Sequence, residues 1–221
     1  MPRRSIFLFD AWMLRTGFVL SGVALFIAIS AWAYMPWWEL AFRSDASPVS
    51  WLSSALLFAC AALALQIGAQ GGLTRGLSSW LVVSMLTMAL DERFMFHEYW
   101  KYHCAEWISW CGRPSAGHVD SLGDAPMALV GCVGIATLAV LYRAIDSAVV
   151  RGQMMAAVMV GVVLALGTHF GHASGLLPAW FGRFEEVFEV FAVSLFLCAL
   201  IEVRAKPRAI ASDQVQSASS T

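Results

Sequence analysis

The chain has 221 residues, 59% of them hydrophobic and 13% charged, with a formal net charge of −1 and a mean hydropathy of +0.69. Soluble domains are nearer one-quarter charged, so this composition excludes an ordinary water-soluble fold. No glycine-rich phosphate loop, nucleotide fingerprint or basic aromatic stripe is present, which leaves nucleotide and nucleic-acid binding without a basis.

Crossing a bilayer takes about 20 mainly apolar residues. Six stretches of that kind follow one another, at 16–35, 51–70, 78–98, 124–143, 153–172 and 182–203. They predict one all-α polytopic transmembrane bundle over 1–206 with no room for a soluble domain. The polar tail 207–221 has the composition of a disordered segment. Arg3, Arg4, Arg15, Arg75, Arg143, Arg151, Arg204, Lys206 and Arg208 flank one side of the stretches, nine of the fourteen basic residues. The positive-inside rule then puts both termini in the cytoplasm. A leader cleaved after Ala31-Trp32-Ala33 is the competing reading of the first stretch; its apolar run is span-length rather than the short core of a signal peptide.

Taken along the chain, loop 36–50 carries Trp37 and Trp38, which favour the headgroup level, and 71–77 is a tight inner turn. The outer loop 99–122 holds Trp100, Trp107 and Trp110, together with Cys104 and Cys111. On one straight helix these two cysteines would stand about 10 Å apart along the axis. A disulfide needs Cα atoms within about 7 Å, so a bridge requires that loop to turn. Cys60, Cys132 and Cys198 read as small packing residues within spans. The inner halves of the stretches offer little polarity beyond Gln66 and Gln70, which favours a one-sided site over a channel.

The outer ends are different. Residues 90–100 read LDERFMFHEYW, and on a continuous helix Asp91 and Glu98, seven apart, share nearly one face. Asp91 is too deep for a short side chain to reach water, so it must be neutral, paired or bound to a cation. Arg93 is a candidate neighbour for these acids. Residues 118–126, HVDSLGDAP, enter the fourth stretch. There Asp120 or Ser121 suits a helix cap, and Asp124 is the acid nearer the membrane interior. His169 and His172 in THFGHASG are spaced i, i+3, so both imidazoles share a helix face, an arrangement that holds zinc or iron. In RFEEVFEVF, Glu186 and Glu189 are i, i+3 and repel one another unless a proton or cation intervenes. Arg183 offsets only part of that charge.

Two to three imidazoles with several carboxylates and no thiolate cluster suit zinc first, with iron or manganese also fitting. A di-iron bundle would repeat Glu-x-x-His on two helices, and that motif is missing. No lysine lies within a span, which excludes retinal-type chemistry.

A membrane helix supplying His97, a next helix with Ser121 and Asp124, and a later histidine pair resembles the alkaline ceramidase-type (CREST) membrane hydrolases. That resemblance implies an intramembrane zinc and cleavage of a lipid amide. The pattern departs from the family at Arg93, where the family has serine, and in having His-x-x-His rather than His-x-x-x-His. The segments LDERFMFHE and FEEVFEVF are also similar to bacterial multi-pass proteins of unassigned function.

The sequence therefore predicts a six-span bacterial inner-membrane protein with a divalent metal near its outer face. His97, His169 and His172 are the expected ligands, with Glu186, Glu189 or Asp91 completing the set. In the hydrolase reading, metal-bound water attacks a lipid or amphiphile while Glu98 or Asp124 serves as general base. A metal-ion or proton transporter or sensor and a non-catalytic membrane subunit are the alternatives.

Overall fold

A computed structural model of the chain describes residues 4–42, 47–108, 125–165, 167–168, 171, 175–178, 181 and 184–218. Among them there is no strand. Helix α1 covers Arg4–Ala33, α2 Pro48–Ala69, α3 Arg75–Phe94, α4 Phe96–Trp107, α5 Ala125–Ala144 and α6 Ala148–Val158. A π-helical segment, Met159–Ala165, continues α6, and α7 runs over Phe184–Ala218.

Local chemistry accounts for several of these boundaries. Ser47 caps α2 by accepting from the Ser50 N–H, with Pro48 in the first turn, where its missing N–H costs nothing. Gly71 ends α2 in the left-handed region at φ 74°, and Gly72 N–H returns to Ile67 C=O at 2.9 Å. Thr74 then caps α3 through Leu77 N–H. The end of α3 was not written in glycine or proline: Met95, at φ 56° and ψ 39°, breaks the third apolar stretch before it is complete. Asp91 and Glu98 therefore lie on two separate helices, and the continuous helix on which they were expected to share a face is interrupted.

α2 and α3 form the most extensive helix pair, and α7 packs against α1, α2, α6 and the π segment, which makes it the central helix. Cys60, Ala64 and Ile67 of α2 meet Leu81 of α3 and Val190 and Leu197 of α7 in one core. Close approach is built in where the Cβ of an alanine at Gly68 would collide with Ser78 Oγ. Polar side chains are buried in this interior, among them Ser50, Ser53, Ser54, Ser78, Gln153 and Ser194. Apolar ones point outward, with Leu14 74%, Phe18 83% and Trp32 77% exposed on α1 and Leu129 66% on α5. Apolar faces of this extent are rare on soluble monomers.

Two helices among the described residues, Ala11–Ala33 and Pro48–Ala69, are long and apolar enough to cross a membrane, and Leu129–Ala144 and Ala148–Leu164 are shorter apolar helices. α3 has the length but ends in Asp91, Glu92 and Arg93, and α7 opens with Glu185, Glu186 and Glu189. α7 also continues as helix past Pro207 to Ala218, over residues whose composition reads as a disordered tail. Adding residues to a formed helix is far easier than nucleating one.

The interhelical contacts define two ends. At the basic end, Arg15 donates to both carboxylate oxygens of Glu202 at 2.6 and 2.7 Å, and Gln153 Nε2 donates to Thr16 Oγ1 at 2.8 Å. Ser78 Oγ donates to Ala64 C=O at 2.6 Å and Trp80 Nε1 to Thr137 Oγ1 at 2.9 Å near that end. This corrects the expectation that only Gln66 and Gln70 bring polarity there: both are exposed, and the internal contacts come from Arg15, Thr16, Gln153 and Glu202. At the acidic end, Ser54 Oγ donates to Ala89 C=O at 3.2 Å, and Arg93 lies over the Trp51 ring at 4.1 Å. Trp38 and Phe42 there line a small crevice with Phe184 and Val187 of α7.

Cys104 is buried and disulfide-bonded, whereas Cys60, Cys132 and Cys198 are free thiols. Cys111 lies outside the described residues. α4 stops at Trp107 and Ile108 is extended, at φ −132° and ψ 110°. The straight-helix geometry that would have forbidden a bridge to the outer loop is therefore removed.

Candidate functional site

The last turn of α3 and the first turns of α7 come together at the acidic end. Carboxylate oxygens of Glu92, Glu186 and Glu189 all lie within 4.8 Å of one another. Helical geometry explains the choice of residues. The buried face of α3 runs through Ser78, Leu81 and Ala89, and at about 100° per residue Glu92 falls about 20° from Leu81. Asp91 falls about 80° away on the same count. On α7, Glu186 stands four residues before buried Val190, and Ser194 and Leu197 continue that line into the core. The two acid-bearing faces are thus the outward continuations of the two core stripes.

Two of the three acids, Glu186 and Glu189, are those the sequence singles out. The third is Glu92, where Asp91 had been expected. Asp91 is half-buried on a neighbouring face, and its carbonyl accepts from Met95 N–H at 2.7 Å. The missed signal was the α3 stripe, since counting on from Leu81 in steps of three and four reaches Glu92. His97 and Glu98 sit in the first turn of α4, with side chains outside the described set. His169, His172, Asp124 and Arg183 lie outside the described residues altogether. The π segment stands between α6 and the two histidines, so the α-helical phase from Gln153 is not carried unbroken towards them.

Three converging carboxylates repel unless a proton, a cation or a cationic side chain sits among them. Their spacing has a chemical reading. Two oxygens bound to one ion at about 2.4 Å are at most about 4.8 Å apart, so each pair of these oxygens meets the distance condition for sharing a divalent cation. Oxygen donors alone favour hard cations such as manganese, magnesium or calcium. Zinc is better served where imidazole joins the set.

No family model matches the chain, and no curated protein or solved structure matches it.

Proposed function

We propose that this protein is a six-span bacterial inner-membrane protein, with both termini in the cytoplasm, that holds a divalent cation close to its outer face. The observation that carries the reading is the convergence of Glu92, Glu186 and Glu189 from two helices that are far apart in sequence. Supporting the topology, contacts at the basic end join the start of α1 to the start of α6 and the later part of α7, while those at the acidic end join the end of α3 to the starts of α2 and α7. Successive crossings in alternating directions produce that pattern. Outward apolar faces on α1 and α5 suit lipid, and a disulfide at Cys104 suits an oxidising outer compartment.

The three glutamates form the described part of the donor set, and manganese is the cation that probes it best. His97, His169 and His172 are the imidazoles that would convert it to a zinc or iron site. Hydrolysis of a lipid or amphiphile would further require a base beside bound water. Glu98 and Asp124 are the candidates, and cation binding stands independently of them.

Elemental analysis and manganese titration of the detergent-solubilised full chain test the proposal. The wild type is expected to hold about one equivalent of divalent cation, and Glu92→Gln or Glu186→Gln to lose most of it. Equal metal content in all three proteins, or none in the wild type, would overturn it.

A further inference from the structure

We propose that the side-chain hydroxyl of Ser50 is a fourth oxygen of this site, supplied by α2. The inference rests on the cation reading above and adds a third helix to it. Ser50 is 1% exposed, and its Oγ is buried with no hydrogen-bond partner among the described residues. Its backbone N–H is already satisfied by Ser47 Oγ at 3.1 Å, so the residue is held in place by the cap while its hydroxyl is left over. A buried hydroxyl without a partner keeps the full cost of leaving water, which calls for an explanation.

Register supplies one. Ser54 stands opposite Ala89, and Ser78 opposite Ala64, through their hydroxyl-to-carbonyl bonds. These two contacts fix the antiparallel offset of α2 and α3 along their whole crossing. One turn outward from Ser54 on the same face is Ser50, and at that offset it falls opposite Glu92 and Arg93. The neighbouring pair reports the same alignment, because the Arg93 guanidinium lies over the Trp51 ring at 4.1 Å. Ser50 therefore faces α3 at the level of the glutamate that α3 contributes. A serine hydroxyl is a neutral, hard oxygen of the kind that commonly ligates magnesium or manganese, and it adds a donor without adding to the repulsion among the acids.

The test uses the full chain in detergent, with manganese and cadmium as the probe ions. Ser50→Ala is expected to weaken manganese binding about tenfold, the lower end of the usual loss when the support of a metal site is trimmed. Ser50→Cys keeps nearly the same volume but replaces oxygen with a soft sulfur, so the ratio of cadmium to manganese affinity is expected to rise at least tenfold over wild type. A manganese electron paramagnetic resonance spectrum that changes in Ser50→Ala at saturating metal would report an altered ligand set rather than a loosened fold. If both Ser50 variants match the wild type for both ions while Glu92→Gln weakens manganese binding, the role of Ser50 is overturned and the three-carboxylate site stands. If Glu92→Gln also binds like the wild type, or the wild type binds no manganese, the site and the Ser50 assignment fall together.

Discussion

Helix α7 carries carboxylates in its first turns and again near its middle, and the two sets have different neighbours. Glu202 is met by Arg15 in a two-point contact at 2.6 and 2.7 Å, with the Glu202 side chain 12% exposed and that of Arg15 41%. Sixteen residues away, about 24 Å along the axis, Glu186 and Glu189 converge with a third acid, Glu92. A carboxylate held by a guanidinium fork is chemically closed and ties α7 to α1. Three acids gathered at one point form an anionic cradle, a grouping that favours a positive species among them. One end reads as architecture and the other as a site.

The architectural end can be broken asymmetrically. Arg15→Ala leaves Glu202 buried without its partner and is expected to cost about 3 kcal/mol of unfolding free energy. Glu202→Ala leaves an arginine that is 41% exposed and long enough to find water or headgroups, at a cost of about 1 kcal/mol or less. Denaturant unfolding of the two variants in one detergent gives the comparison. Equal losses would mean that the pair is solvent-screened from both sides and does not pin the helices.

The other end should respond to cation rather than to mutation alone. Manganese at a hundredfold excess over its Kd is expected to stabilise the wild type by about 2.7 kcal/mol, as mass action requires of any ligand that binds only the folded state. Glu186→Gln should lose most of that gain, whereas Arg15→Ala should keep it, because sites this far apart behave additively to within about 0.5 kcal/mol. A cation response abolished by Arg15→Ala would show that the two ends are one coupled system. In chelator Glu186→Gln separates two roles: if relief of repulsion among the acids is the whole effect, the variant is as stable as the wild type or about 0.5 kcal/mol more stable. A clear destabilisation in chelator would assign the glutamate to a structural hydrogen bond instead.

How much of this could be read without coordinates follows from what kind of signal each feature leaves. The helical class came from apolar stretches of bilayer length, and all six fall mainly on helical segments among the described residues. The acidic end came from ionisable groups at depth and from like charges at helical spacing, which singled out Glu186 and Glu189 before their neighbours were known. Met95 was invisible because a left-handed methionine leaves no compositional mark; α3 ends there without the glycine that usually announces such a turn. Glu92 was passed over for Asp91 because helical phase was counted from Asp91 to Glu98 and not from the core stripe through Leu81. The pairing of Arg15 with Glu202 was hidden for another reason. A basic residue beside an apolar stretch reads as a headgroup anchor, and only tertiary packing reveals an acid 187 positions later as its partner.

The smallest expected effect tests the seam between the two halves of the comparison. Arg93 is the cation nearest in sequence to the acid cradle, yet its guanidinium is spread over Trp51, which is itself 54% exposed. A cation–π contact at so exposed a place is worth about 0.5–1 kcal/mol, so Trp51→Leu should lower stability by no more than that. Manganese affinity tests the same contact from the side of the acids. Where loss of the ring contact strengthens the guanidinium's competition with the ion, manganese affinity in Trp51→Leu is expected to fall about threefold, the equivalent of the contact's energy, while Trp51→Leu/Arg93→Gln recovers it. Recovery would show that Trp51 parks a competing cation. Failure to recover would mean that the ring matters only for holding α2 and α3 in register.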